Sequence, residues 1–312
     1  MSGLGYVASE PTADLRSRLV TALRDVLIDH AVSLPLGNQH ALVHVGALCE
    51  QGEATRYEIA EAAAGDEGFS ATLLRLANSA ALGGVTQIAD LPSAVTRLGT
   101  RMVGTLAVAM PVMRLLAMPD DGMGAARKEL HRHATRVGVL ARDLAPKDVH
   151  PETALAAGLI HNVGLAVLSI SAPVGFARVL RTAETAADMA RAESEVFGFT
   201  HAALGALMGK AWAYPDELLS AIEEHDAPVP STRLAALVQV ADLLVREAGI
   251  GIEPGGAVDA SVAETAGIDL AEARARAHFL LGYRPDDGEV EPSEADIASA
   301  RLIDSLDGLR PA

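Results

Sequence analysis

The chain has 312 residues, half of them hydrophobic but only 3% aromatic, with a formal net charge of −16. That acidity argues against nucleic acid, whose phosphates need a cationic face, while the length allows one large domain or two smaller ones with a full core. Alanine and leucine dominate, which favours helix over strand.

Cys49 is the single cysteine. Neither an internal disulfide nor a cysteine-built zinc site is available, which suits a reducing cytoplasm. The opening MSGLGYVASEPTADLR lacks the basic-then-apolar pattern of a secretory signal. Residues 12–31 then read as an amphipathic helix with Leu15, Leu19, Leu23 and Val26/Leu27 on its inner face; Pro35 and Gly37 end it. Helices follow over residues 39–50, 56–64 and 70–78, the last capped by Ser70 with Leu73, Leu74 and Ala77 facing inward. Gly83-Gly84 marks a turn. Pro92 stands at the start of the next helix, Gly99 stops it, and Thr100 caps the one after. The most apolar stretch on this reading, MVGTLAVAMPVM at 102–113, is too short to span a bilayer, is bounded by Arg101 and Arg114, and contains Pro111. It reads as a buried helix of a protein with no membrane contact.

PDDGMG at 119–124 is the clearest interior break and separates two lobes. Beyond it, helices are expected over residues 125–144, 152–169, 174–185, 200–212, 215–225 and 231–248. GIGIEPGG at 249–256 is a linker, and the tail carries two short helices. From Arg284 onward the tail is acidic, a solvated face or mobile end. With no repeat and no run of alternating strands, the fold class is all-α: a helical N-terminal lobe packed on a second helical lobe.

Several histidines and acids fall on otherwise apolar helices. His133 lies in ELHRHATRVGVLARDL; His131, two positions away and about 200° round the helix, cannot share a ligand with it. His161-Asn162 interrupts AAGLIHNVGLAVL, His201 follows the capping hydroxyl expected of Thr200, His225-Asp226 ends IEEHD, and Asp242 interrupts LVQVADLLV. Each alone reads as satisfied packing, and His225 has a dipole reason to end a helix. Asp242 needs a cation, a metal or capping donors, because a carboxylate in an apolar stripe cannot be left bare.

Taken in order, these residues resemble the ligand series of the HD phosphohydrolase superfamily, in which imidazoles and aspartates hold divalent metals that activate water against a phosphate ester. Within that superfamily the chain is similar to the HDOD domain proteins, its non-catalytic bacterial relatives, over about residues 33–248. The most specific stretch is LLRLANSAALGGVTQIADLPSAVTRLGTRMVGTLAV, with Asn78, Ser79, Ala80, Ile88 and Leu98-Gly99 at the family's positions; LHRHA, AAGLIHNVGLAVL and EVFGFTHAALGALMGKAW through IEEHD match the second half. Two departures stand out. Glu67-Gly68 takes the place of a common Asp-Pro, and Asn162 takes the place of the aspartate in the His-Asp doublet, where a neutral amide adds no charge and bridges metals poorly.

The resemblance implies three parts: an N-terminal extension over 1–32, the domain over 33–248 (lobes at about 33–118 and 125–248), and a linker with acidic tail over 249–312. It implies a non-enzymatic signalling or regulatory module that works by binding other proteins, with no cofactor and no metal. His133, His161, Asn162, His201, His225, Asp226 and Asp242 then form a vestigial pocket, an internal hydrogen-bond network across helices. Partner contact is expected through Asn78, Ser79, Arg97 and Arg101 or the groove between lobes. Arg97 and Arg101 would steer an acidic partner, and Met110, Met113 and Met118 would line an adaptable groove if exposed. Two alternatives stay open: a single-metal phosphohydrolase using His133, His161 and Asp242 with Asn162 as a weak contact, and a small-ligand or nucleotide sensor in which Arg132 and Arg136 hold phosphate.

Overall fold

The computed structural model describes residues 13–79, 86–119, 121–281 and 293–308, and no strand occurs among them. The N-terminal half contains α1 (Ala13–Ser33), α2 (Gln39–Gln51), α3 (Arg56–Ala64), α4 (Glu67–Ala77), α5 (Leu91–Leu98) and α6 (Thr100–Leu116). Local chemistry sets most of these boundaries. Asn38 caps α2, Gly52 ends it in the left-handed region, and Thr55 with Glu58 forms a capping box on α3. The expected Gly83-Gly84 turn lies outside the described residues.

Three details differ from the sequence reading. On α1 the buried seam runs through Leu27 and Ala31, with Val20 half-buried, while Leu19, Leu23 and Val26 are exposed. The helix is rotated by about one position, because it meets the body through the faces it turns to later helices. The cap of α4 is Asp66, whose Oδ1 accepts from Phe69 N at 2.7 Å; Ser70 lies inside the helix and gives its hydroxyl to Ala63 O. Gly99, at φ +80, takes both the end of α5 and the cap position of α6. Thr100 is therefore the first helical residue and not the cap.

The second half contains α7 (Gly124–Leu144), α8 (Pro151–Ile160), α9 (Val163–Ser171), α10 (Pro173–Thr182), α11 (Ala186–Val196), α12 (His201–Ala211), α13 (Asp216–Glu224), α14 (Arg233–Glu247), α15 (Ala260–Ala266), α16 (Leu270–Leu280) and α17 (Glu294–Asp307). The single helix expected over 152–169 is split into α8 and α9 at His161-Asn162. A separate helix, α11, stands between residues 185 and 200, where no helix was expected. Its start is set by Thr185, whose hydroxyl accepts from Asp188 N. The run Pro151–Ser171, not 102–113, is long and apolar enough to cross a membrane by length and composition; 89% of its most apolar window is buried within the fold.

The lobes share one core. Buried side chains form a continuous cluster from Leu27 to Leu306. Helix α6 joins the halves, packing on α2 on one side and on α8 and α9 on the other. Glycine lets the central helices approach closely. A Cβ at Gly158 would lie 2.5 Å from Gly138 Cα, and one at Gly164 would lie 2.0 Å from His201 O. Backbone thus meets backbone where α8 crosses α7 and where α9 crosses α12, and this convergence points the histidines of those helices toward each other.

The described part of the tail docks. Leu302, Ile303 and Leu306 of α17 are buried. Asp307 accepts from Thr135 Oγ1 at 2.8 Å and from Arg136 Nη1 at 2.6 Å, and Ser299 bonds Asp143 at 2.9 Å.

Candidate functional site

All seven residues expected in the pocket come together. Along the seam, the His133 and His161 rings lie 5.3 Å apart, His161 and His225 5.1 Å, and His225 and His201 5.2 Å. All four imidazoles are buried. Two groups of ligand-type atoms result, His133–His161–Asp242 and His201–His225–Asp226, each with its atoms within 4.8 Å of one another.

Backbone carbonyls fix three rings. His133 Nδ1 meets Ile250 O at 3.0 Å, His161 Nδ1 meets Gly158 O at 2.7 Å, and His225 Nδ1 meets Ile222 O at 2.7 Å. A carbonyl has no hydrogen to give, so each Nδ1 carries the proton and each Nε2 faces the centre. His133 Nε2 lies 2.9 Å and His161 Nε2 3.8 Å from Asp242 Oδ1. Neither nitrogen completes a hydrogen bond. Burial, reinforced by His225 and His133, holds the His161 pKa well below that of an ordinary histidine, so the ring is neutral.

His201 is the opposite case. Its Nδ1 donates to Glu193 at 2.9 Å, and its Nε2 lies 3.2 Å from His225 Nε2 and 3.3 Å from Asp226 Oδ2. Burial works to lower its pKa, but the Glu193 carboxylate overrides burial and raises it well above the ordinary value. His201 is therefore an imidazolium that donates from both nitrogens.

Three residues outside the sequence-derived set complete the centre: Glu193, Arg246 and Glu253. Arg246 Nε donates to Asp242 Oδ1 at 2.8 Å and its Nη2 donates to Asp242 Oδ2, a fork that engages both carboxylate oxygens. The same Nη2 reaches Asp226 Oδ1 at 3.1 Å and lies 3.6 Å from Glu253 Oε1. Against the burial that would raise it, the Arg246 guanidinium holds the Asp242 carboxyl far below the usual range. Glu253 accepts from Asn162 Nδ2 at 2.6 Å. The Asn162 amide is therefore turned nitrogen-first toward the centre, and its Oδ1 is buried without a partner. Arg246 had a legible signal, since it stands four residues after Asp242 on one helix. Glu253 lies in the glycine-rich segment after α14, where nothing local marks it. Glu193 lies on the helix the sequence reading missed.

The Arg246 guanidinium opposes a divalent ion shared between these two groups. A metal between the two groups would share Asp242 and Asp226, and the Arg246 guanidinium already lies against both carboxylates. A fixed cation there opposes a second one, and both Asp242 oxygens are engaged.

The remaining sequence-derived residues lie elsewhere. His131 faces α17, 3.7 Å from Asp307. Arg132 pairs with Glu129 at 2.8 Å and Arg136 with Asp307 at 2.6 Å, both away from the centre. Asn78 donates to Ile88 O and accepts from Ile88 N, both at 2.8 Å. Arg97 donates to Ala77 O at 3.2 Å and Thr86 O at 3.0 Å. Ser79 Oγ is buried and unpartnered among the described residues. Met110 and Met113 belong to the core and Met118 is half-buried, so no methionine groove forms at 110–118. A cleft does lie between the halves. It is about 270 Å³, walled by Leu42, Val43, Gly46 and Val108 with Trp212 and Tyr214 opposite, and Arg101 at its edge.

Among the described residues the body is all-helical and built around facing histidine and carboxylate side chains. The family model of the HDOD domain matches residues 38–228, and the chain belongs to that family. The matched limits fall inside the 33–248 expected from sequence. An uncharacterized protein of Treponema pallidum is 28% identical over 183 residues, 56% of this chain and 35% of that protein; the chain thus spans about a third of that relative. An HDOD domain protein of Geobacter sulfurreducens has the same fold at a TM-score of 0.63 and 20% identity, covering 95% of this chain and 97% of that one. A chain described as a candidate signal transduction protein of Marinobacter aquaeolei VT8 reaches 0.69 at 22% identity, covering 93% and 65%.

Proposed function

We propose that the chain is a non-enzymatic regulatory module of bacterial signalling that works in the cytoplasm by binding other proteins. The carrying observation is Asn162. The position that needs a bridging carboxylate holds an amide whose nitrogen donates to Glu253 at 2.6 Å, so the doublet offers a donor where metal chemistry needs an anion. The signalling name of the Marinobacter aquaeolei neighbour agrees with this reading. The interlobe cleft is the proposed contact surface. Arg101 at its edge makes no ion pair or hydrogen bond among the described residues and so remains available to an acidic partner, and Val43 is 46% exposed beside it.

The test is photocrosslinking in cells with the reactive residue at position 101, at 75 and at 301. Capture of a defined protein from position 101, abolished by Gly46→Phe, supports the proposal; Gly46 is chosen because a Cβ there meets nothing within 4 Å. Capture from position 301 alone, or of nucleic acid, contradicts it. The phosphohydrolase alternative draws on the two ligand-type groups, and turnover of phosphomonoesters or cyclic dinucleotides with added manganese is its measure; none is expected. Against the sensor alternative, Arg132 and Arg136 are both paired with acids.

A further inference from the structure

We infer that Arg246 is the resident cation of the histidine–carboxylate centre, and that the segment following α14 straps it shut. Three carboxylates converge on one guanidinium: Asp242 on both oxygens, Asp226 at 3.1 Å and Glu253 at 3.6 Å. These acids come from three parts of the chain: the middle of α14, the end of α13 and the segment after α14. A divalent ion would draw the same acids together by the same charge logic. Here an immobile side chain, 1% exposed, does so without a dissociable ligand.

The strap consists of residues 250–254 and reaches the centre through Ile250, Glu253 and Pro254. Ile250 O accepts from His133 Nδ1 at 3.0 Å, and Gly251 N donates to Glu129 at 2.8 Å. Glu253 takes Asn162 and faces Arg246, and Pro254 O lies 3.5 Å from Arg246 Nη1. Gly251, at φ +129, passes so close to His133 that a Cβ would sit 2.9 Å from its Nδ1. Arg246 and the strap both lie beyond the HDOD match at residue 228. The chain outside the matched domain therefore supplies both the cation and the cover. The inference stands apart from the partner-binding proposal: a module can bind a partner at the cleft whatever holds its centre together.

The test is thermal unfolding of the full chain, wild type and Arg246→Met, each after chelator treatment and then with millimolar manganese or zinc. The wild-type midpoint is expected to be the same under all conditions. Arg246→Met leaves three acids, two of them buried, without their cation, so its midpoint falls in chelator, and added metal restores it by about 5 °C. Adding His161→Ala to that variant abolishes the restoration. A wild-type midpoint that drops on chelation and recovers with metal overturns the inference, as does a folded Arg246→Met that metal does not stabilise. If Arg246→Met does not fold under any condition, Glu253→Gln decides. It loosens the strap while keeping the guanidinium, so it should melt earlier than wild type with no response to metal; a metal response in that variant contradicts the inference.

Discussion

At the scale of single residues, the buried charges of this protein are held by named partners and not by solvent. Asp66 is the clearest case outside the centre. Its side chain is 3% exposed, caps α4, accepts from Asn38 N at 2.7 Å, and takes Arg114 Nη1 at 2.9 Å and Nη2 at 2.5 Å. Asp66→Ala removes a cap and strands a guanidinium, and should cost roughly 3 kcal/mol in denaturant unfolding; a loss no larger than that of an exposed control contradicts this account of Asp66. The histidines predict the pH profile. His161 is neutral in the fold, with a value depressed below 6.5, so the unfolded chain binds more protons in the window below 6.5. Its contribution is complete above 6.5 and is lost as the pH falls. His201 runs the other way. Its raised value contributes stability that is complete below 6.5 and lost as the pH rises through its folded value. The unfolding midpoint should therefore decline on acidification from pH 7, with a shallower slope in His161→Gln. An identical slope in the variant refutes the assignment of a buried neutral ring.

At the scale of elements, helices pack backbone to backbone where the site is built. Gly164→Ala would set a methyl 2.0 Å from the His201 carbonyl, which neither chain can yield easily. It should destabilise by about 2–3 kcal/mol. Gly46→Ala faces open space, so helix propensity should make it neutral or stabilising by up to ~1 kcal/mol. Equal effects of the two changes would show that the α9–α12 crossing is looser than described. Much of this level was legible in the sequence. The ends of α2, α3, α5, α7 and α12 follow from caps, prolines and glycines that act within one turn. What was not legible depends on tertiary contact. The apolar run through His161-Asn162 has one continuous helical pattern, and only the carbonyl and carboxylate partners of those two residues show why it breaks there. The rotation of α1 was likewise set by the surface it meets, since Leu19, Leu23 and Val26 have the spacing of a buried stripe and yet face outward.

For the molecule as a whole, the residues after the HDOD match complete the body. Arg246 and Glu253 finish the centre, and α17 covers α7 through Leu302, Ile303 and Leu306. Ending the chain at residue 292 should uncover that face and remove the Asp307 partner of Thr135 and Arg136. The expected loss is several kcal/mol, about 1.5–3 for each large apolar side chain whose burial is removed; an unchanged melting midpoint would mean that the docking is dispensable. The seven pocket residues were legible because histidines and polar groups interrupt or end a series of apolar segments in a recognisable order. The cation that organises them carried only its i,i+4 spacing to Asp242 as a signal, because an arginine near a helix end is ordinarily solvated and its wider role depends on acids from separate parts of the chain. We propose that this histidine–carboxylate centre is organised by its own side chains and does no metal chemistry. The most direct measurement is elemental analysis of the full chain purified without chelator, alongside the same preparation of His161→Ala. Manganese, iron and zinc are expected far below one per chain in both. One equivalent in the wild type that disappears in His161→Ala would contradict the proposal.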